Sequence, residues 1–143
     1  MTDDLEVSVR INAHRETVFP YFTDPTRMVA WMGVSAEVDA RVGGQYRVRV
    51  NSRGIAVGEF VEITPPERIV WTWGWEGNDE VPPGSSIVEV TLTADGDATI
   101  VRLRHSGLPD DRWRAKHDEG WTHYVARLAV AAGGGDPGPD PQA

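Results

Sequence analysis

The sequence contains no cysteine and only one lysine, Lys116, among its 143 residues. Without thiols the chain cannot form disulfides, zinc-thiolate centres or cysteine nucleophiles. Positive charge is also scarce, since 14 Lys and Arg residues stand against 22 Asp and Glu residues, a formal net charge of -8. Nucleic acids and anionic lipids both select clustered basic side chains, so we predict no nucleic-acid binding.

Long apolar runs are absent as well. No segment approaches the ~18 apolar residues needed to span a bilayer, and the acidic N-terminus MTDDLEVSVR has no apolar h-region. We therefore predict no membrane insertion and a cytoplasmic location. The nucleophile elbow, the phosphate-binding loop and the dinucleotide fingerprint are also missing, which disfavours a nucleophile-based enzyme. No cofactor is expected.

Alternating apolar and polar residues predict a sheet made of antiparallel strands. Residues 5–11 alternate as a half-buried strand, and six more strand-like runs, joined by short turns rich in Gly, Pro, Asn and Asp, fill residues 35–106. Two short helices are predicted between the first strand and the rest. Asp24 is the expected N-cap of the second helix, with Pro25 at its first position, and Pro20 is expected to kink the first helix.

The C-terminal part of the chain predicts one long amphipathic helix followed by a tail. Trp113, Trp121, Tyr124 and Leu128 form its apolar stripe, with Gly120 as a potential interruption. Residues 133–143 contain no large apolar side chain and are predicted to be disordered. The expected product is a single α+β domain over residues 1–132, in which a curved antiparallel sheet of six to seven strands wraps around the C-terminal helix.

Five segments follow one another between about Leu5 and Ala132 in an order typical of one protein superfamily. They are INAHRETVFPYFTDPTRMVAWM, VGGQYRV, GEFVEITPPERIVWTW, LRHSGLPDDRW and GWTHYVARL. Together they resemble the START-like, Bet v 1-like (SRPBCC) superfamily, and within it the branch named after activators of the Hsp90 ATPase. The resemblance implies a helix-grip fold around an apolar cavity, in members that range from lipid and hormone carriers to polyketide cyclases and aromatases.

Three tryptophans on one predicted strand are the strongest pattern for a binding site. Trp71, Trp73 and Trp75 alternate with Thr72 and Gly74, so their side chains should share one face of the sheet. Two interpretations stay open: ordinary core packing, or the wall of a pocket for an aromatic or polycyclic ligand. Both hold if Trp71 and Trp73 point inward and Trp75 lies at the mouth.

The predicted ligand contacts are the side chains whose position on a strand or helix turns them toward the space between sheet and C-terminal helix. They are Trp31, Tyr46, Val48, Trp71, Trp73, Leu103, His105, His117, Trp121 and Tyr124. His105 has two interpretations, a hydrogen-bonded core histidine or a polar anchor for a ligand.

Four residues are candidates for acid–base chemistry: His105, His117, Tyr124 and Glu59. Strand parity around Glu59 is ambiguous, because either Glu59 or Phe60 faces the cavity, and a bulge near Gly58 would resolve the conflict. A buried Glu59 would have a raised pKa and could act as a general acid or base, although an exposed Glu59 is the favoured interpretation.

The stretch KHDEGWTHY raises the question of a metal site. His117 and His123 are six residues apart, about 240° around a helix, so they face different sides and cannot bind one metal together. We predict no metal site, with Glu119 and His123 as an ordinary surface pair. The favoured function is binding of a small, largely apolar molecule without catalysis. The alternatives are a cyclase- or aromatase-type enzyme and, from the resemblance alone, a chaperone-interacting protein.

Overall fold

A seven-stranded antiparallel sheet carries most of the chain in the computed structural model, which describes residues 4–141. The strands are β1 (Leu5–Ile11), β2 (Ser35–Val38), β3 (Gln45–Asn51), β4 (Gly54–Thr64), β5 (Arg68–Trp73), β6 (Ser86–Asp95) and β7 (Ala98–Ser106). Their order is β1-β7-β6-β5-β4-β3-β2. The chain thus crosses from one edge of the sheet to the other after β1 and returns hairpin by hairpin until β7 pairs with β1.

Short helical segments make the crossing between β1 and β2. They are α1 (Arg15–Val18), a 3₁₀ turn (Phe19–Phe22) and α2 (Pro25–Met28). Pro20 lies at the start of the 3₁₀ turn, where a missing backbone N–H costs little, so α1 ends before it. The side chain of Asp24 accepts the N–H of Thr26 at 2.9 Å, as expected of an N-cap.

The long helix α3 (Asp111–Ala132) packs against the inner face of the sheet. Asp110 caps it by accepting the N–H of Trp113 at 3.0 Å, and the helix runs through Gly120 without interruption. The face turned to the sheet buries His117, Trp121, Tyr124, Val125, Leu128, Ala131 and Ala132. The predicted helix-grip architecture is confirmed. Within residues 4–141 no helix is both long and apolar enough to cross a membrane.

The two faces of the sheet differ sharply in chemistry. The inner face is a continuous apolar core in which side chains such as Val88, Val90 and Leu103 are fully buried. The outer face carries ion pairs, for example between Arg102 and Glu6 at 3.0 Å. Such exposed pairs stabilise the fold by at most ~1 kcal/mol each, whereas each buried aliphatic side chain contributes about 1.5–3 kcal/mol. The core therefore determines the fold, and the ion pairs of the outer face add little to its stability.

The ambiguity between Glu59 and Phe60 is resolved by a bulge in β4 that lies three residues further along the strand than the predicted position, Gly58. Phe60 is buried and Glu59 is exposed on the outer face. The register shifts between Phe60 and Glu62, so the bulge lies at Val61 and not near Gly58. Glu59 therefore lies outside the space between sheet and helix.

The segment after α3, for which the sequence predicts disorder, contacts α3 over the residues that the structure describes. Residues 133–141 fold back along α3, where Arg127 donates to the carbonyl oxygens of Pro137 at 3.4 Å and Gly138 at 2.9 Å. Nε2 of His123 lies 2.9 Å from a carboxylate oxygen of Asp140. Composition alone misses this docking because the partners are polar groups of α3 rather than apolar surface. Residues 142 and 143 lie outside the described range.

Candidate functional site

A cleft of about 620 Å³ opens between the first half of α3 and the end of the sheet where β3 turns into β4. Aromatic side chains supply most of its inner wall, and charged side chains surround its mouth. The residues used below are Met32, Val50, Arg53, Gly54, Trp73, Trp75, Glu76, Trp113, Lys116, His117, Glu119, Trp121 and Tyr124. The cleft lies at one end of the sheet–helix interface rather than along its whole length.

Two β5-side tryptophans and one helix tryptophan form the aromatic wall. The ring of Trp73 contacts that of Trp75 edge to face, with centroids 5.3 Å apart. It also contacts the ring of Trp121 in a tilted arrangement, with centroids 5.0 Å apart. Trp75 is half-buried at the mouth. Its ring lies directly on Gly54, where an added Cβ would come within 2.8 Å of the indole. Glycine at this position therefore lets the indole close one side of the cleft.

His117 joins the wall to the helix and is held in one tautomer. Its Nδ1 lies 2.8 Å from the carbonyl oxygen of Trp113, an acceptor only, so Nδ1 carries the proton. Its Nε2 accepts the indole N–H groups of Trp73 at 3.3 Å and Trp75 at 3.1 Å. One neutral imidazole thus fixes the orientation of two tryptophans.

His105 has the opposite tautomer. Its Nδ1 accepts the indole N–H of Trp121 at 3.0 Å, so the proton is on Nε2, which donates to the hydroxyl of Ser86 at 2.8 Å. That hydroxyl in turn donates to the carbonyl oxygen of Trp73 at 2.8 Å. Every donor and acceptor in this chain of groups is used once, so His105 is a hydrogen-bonded core histidine in this structure.

Both histidines are neutral because they are buried. Burial, reinforced by the nearby His117, lowers the pKa of His105 well below its ordinary value. Burial also lowers the pKa of His117, although the bond to the Trp113 carbonyl opposes that shift. Their ring centroids are 4.9 Å apart, so a proton on one ring would repel a proton on the other. Neither ring has a nitrogen free to exchange a proton with a ligand.

The mouth of the cleft is polar and carries charges of both signs. The indole N–H of Trp113 donates to a carboxylate oxygen of Glu80 at 2.9 Å, and this bond, followed by the one from Arg112, lowers the pKa of Glu80. Lys116 lies over the Trp113 ring, 5.0 Å from its centroid. Two basic residues, Arg53 and Lys116, and two acidic residues, Glu76 and Glu119, line the rim, so their formal charges cancel.

Tyr124 closes the cleft on the α3 side. Burial, followed by the neighbouring carboxylate of Asp140, raises its pKa to about 12. The phenol is therefore protonated at neutral pH and cannot act as a base there. The docked tail thus reaches the back of a residue that lines the cleft.

The predicted contacts fall into two groups. Trp73, His117, Trp121 and Tyr124 line the cleft. The other six are buried behind it in the core: Trp31, Tyr46, Val48, Trp71, Leu103 and His105. Sequence reasoning assigned no role to Ser86, which lies 19 residues before His105 in the chain and is brought to it by the pairing of neighbouring strands. It also assigned no role to Trp113, whose carbonyl oxygen holds His117. The spacing of Trp113 and His117 at i, i+4 was the available signal for the second.

The two histidines of KHDEGWTHY lie on different sides of α3, as predicted. His117 faces the sheet, and His123 faces Asp140 of the tail. Among residues 4–141, no three His, Asp or Glu side chains converge in a way that could hold a metal ion.

A curved sheet that grips a C-terminal helix, with an aromatic cleft between them, defines a helix-grip protein of the Bet v 1-like superfamily. The sequence pattern of the family described as "Activator of Hsp90 ATPase homolog 1-like protein" matches residues 12–133. The chain belongs to this family.

Solved structures and a curated protein agree with this assignment. An AHSA1-like protein from Rhizobium etli is 44% identical, with 97% of this chain and 88% of that chain covered and a TM-score of 0.74. An HSP90 activator from Plasmodium falciparum is 26% identical, with 91% and 96% covered and a TM-score of 0.73. An uncharacterized protein of Schizosaccharomyces pombe is 26% identical over 76% of this chain, which spans only 31% of that protein's length.

Proposed function

We propose that the chain binds a small, planar, largely apolar molecule, aromatic or polycyclic, in the cleft between α3 and the sheet. One observation carries this proposal: every indole N–H of the cleft is bonded within the protein, in Trp73, Trp75, Trp113 and Trp121. The tryptophans therefore offer ring surface to a ligand and no free donor. A planar ligand gains about 25 cal/mol per Å² of buried apolar area, and about 0.5–1.5 kcal/mol more for each well-placed ring contact.

The state of the ionisable groups supports binding without turnover. A cyclase- or aromatase-type enzyme needs an acid or base that can reach its substrate. Both nitrogens of His105 and of His117 are already engaged, the hydroxyl of Tyr124 is protonated but buried, and Glu59 is exposed on the outer face. The cleft therefore favours recognition over proton transfer, with the cytoplasm as the proposed compartment.

Equilibrium dialysis with fluorene, a planar tricyclic hydrocarbon, tests the proposal. We expect saturable binding to one site. Trp75→Ala should weaken it about five- to tenfold, because a ring contact of ~1 kcal/mol at the mouth is lost while the core stays intact. Trp31→Phe is the control, since Trp31 is buried and does not line the cleft. Absence of saturable binding, or equal loss in both variants, would exclude the cleft as the ligand site.

A second candidate function is interaction with a chaperone. It is favoured by the family description and by the likeness to the HSP90 activator from Plasmodium falciparum. If it holds, the purified chain should raise the ATPase rate of an Hsp90 in a coupled assay, and fluorene should leave that rate unchanged. A rate unaffected by excess chain would remove this candidate without affecting the binding proposal.

A further inference from the structure

Two polar groups in the core lack the hydrogen bonds that their counterparts have. Of the six tryptophans, five donate their indole N–H to a protein acceptor, and Trp31 does so to the carbonyl oxygen of Tyr21 at 2.9 Å. Trp71 is the exception: within residues 4–141 its N–H has no partner. The hydroxyl of Tyr46 is likewise buried without a partner in the described chain.

The hydroxyl of Tyr21 differs from that of Tyr46, because it donates to the carbonyl oxygen of Ala131 at 3.2 Å. The hydroxyl of Tyr124 is also buried without a well-formed hydrogen bond in the described chain, but the carboxylate of Asp140 lies beside it. A buried donor without an acceptor destabilises a fold by about 1–3 kcal/mol, so proteins rarely keep one without a use. Here two occur together, on side chains that are each 1% exposed.

The two unpaired groups lie next to each other and just behind the cleft wall. The rings of Tyr46 and Trp71 stack with centroids 5.1 Å apart, and Tyr46 also meets Trp73 of the cleft at 6.0 Å. Along β3, the inward-facing positions run from Val50, which lines the cleft, through Val48 to Tyr46. The donors therefore lie on the inward faces of two strands that line the cleft, with Trp71 one inward position beyond Trp73 and Tyr46 two beyond Val50.

Met32 offers a way inward on the opposite side. It lines the cleft, yet it is 1% exposed and follows the short helix α2. Its neighbour Trp31 packs on Phe22, which in turn packs on Trp71, with centroids 5.3 Å and 6.4 Å apart. An unbranched thioether side chain changes rotamer easily, so Met32 can give way without disturbing a strand.

From this arrangement we infer that the cleft has an inner subsite, formed by Tyr46 and Trp71, that takes an oxygen acceptor of the ligand. The inference rests on the proposed binding function and specifies the ligand class: a planar aromatic molecule that carries a carbonyl or equivalent acceptor at its leading edge. The hydroxyl of Tyr46 and the N–H of Trp71 donate to that oxygen, while the indoles of the cleft cover the rings behind it. The group that leads into the protein is polar, and the group left near the mouth is apolar.

A matched pair of probes tests this orientation. Fluorene and 9-fluorenone have almost the same shape and differ by one carbonyl oxygen. A site that offers apolar surface alone binds the more hydrophobic fluorene more tightly, whereas two waiting donors reverse the order. In equilibrium dialysis we expect 9-fluorenone to bind about five- to tenfold more tightly than fluorene.

The variant Tyr46→Phe removes one donor and no ring. It should reduce the affinity for 9-fluorenone about fivefold, leave that for fluorene unchanged, and leave the fold at least as stable, since an unpaired hydroxyl is lost. Tyr21→Phe is the control, because it removes a hydroxyl that already has a protein acceptor; it should change neither affinity. A fluorenone preference that survives Tyr46→Phe would overturn the subsite.

A measurement on the unaltered protein covers the case in which Tyr46→Phe does not fold. In a ¹H–¹⁵N spectrum, the indole signal of Trp71 should move downfield with 9-fluorenone and much less with fluorene. If fluorene binds but 9-fluorenone has no advantage, or if the Trp71 indole proton shows a persistent contact to an internal water, the subsite is wrong and the binding function stands. If neither probe binds, the proposed function itself fails.

Discussion

As the pH is lowered, the free energy of unfolding should begin to fall at a higher pH than titration of the carboxylates alone would produce. His105 and His117 each accept an indole N–H on an unprotonated nitrogen, so protonation of either ring removes at least one buried hydrogen bond. Both pKa values are lowered in the fold, chiefly by burial. The unfolded chain therefore binds more protons than the folded chain below the ordinary histidine pKa of about 6.5, and stability falls as pH falls through that value.

The size of the effect follows from linkage. A histidine that is neutral when folded loses about 1 kcal/mol of unfolding free energy between pH 6.5 and 5.5, and about 1.4 kcal/mol per further pH unit. The free energy of unfolding should therefore drop by about 1 kcal/mol between pH 6.5 and 5.5 from His105, whose pKa is well below the ordinary value, and by up to about 1 kcal/mol more from His117. Carboxylates titrate mostly below this window, which isolates the histidines.

Urea titrations followed by tryptophan fluorescence at half-unit pH steps measure this slope. His105→Asn and His117→Gln each keep an acceptor without a titrating ring, and each should remove its own contribution to the slope; together they should flatten it. His14→Gln is the control, since His14 has an exposed side chain outside the network. A wild-type stability that is flat from pH 6.5 to 5.5, or a slope that survives in the double variant, would refute the assigned tautomers.

The tail, the β4–β5 contact and the start of α3 each give a further expected outcome. Deleting residues 136–143 removes the carbonyl acceptors of Arg127 and should cost about 1–2 kcal/mol in urea titration, whereas an unchanged midpoint would restore the disordered tail. Gly58→Ala places a methyl group 1.8 Å from a β5 carbonyl oxygen and should lower the free energy of unfolding by about 3 kcal/mol. Gly120→Ala, whose methyl group would lie in open space, is the control and should not lower it. Equal effects of the two substitutions would contradict the close approach of β4 and β5 at Gly58. Asp110→Ala should lower stability by about 1 kcal/mol, measured as a lower thermal midpoint, unless the cap is not formed.

Local patterns were sufficient to predict the fold. Alternation identified each strand, and Asp24 with Pro25 identified the start of α2, because these signals depend on neighbours within a few residues. The bulge in β4 shows where this reasoning stops. The alternation of inward and outward side chains in β4 required one extra residue before Ile63. Only the pairing of β4 with β5 shows that this extra residue is Val61.

The site was predicted less completely, since it depends on contacts between distant strands. The shared face of Trp71, Trp73 and Trp75 was deduced from spacing, and Trp75 does lie at the mouth. The bond between His105 and Ser86 requires the register of β6 against β7, which no single strand encodes. The tail was assigned by its lack of apolar residues, a criterion that does not detect docking through backbone carbonyls on Arg127.

The imidazole of His117 also has an evolutionary consequence. Because it accepts from Trp73 and Trp75 and is held by Trp113, replacement of His117 alone by a residue with no acceptor at that position leaves two indole donors unpaired. Neutral drift at these positions is therefore slow one residue at a time and easier in pairs. Among homologous chains, the histidine and its two indoles should be kept or lost together, so that covariation at these positions would identify members that retain this aromatic cleft even where overall identity is low.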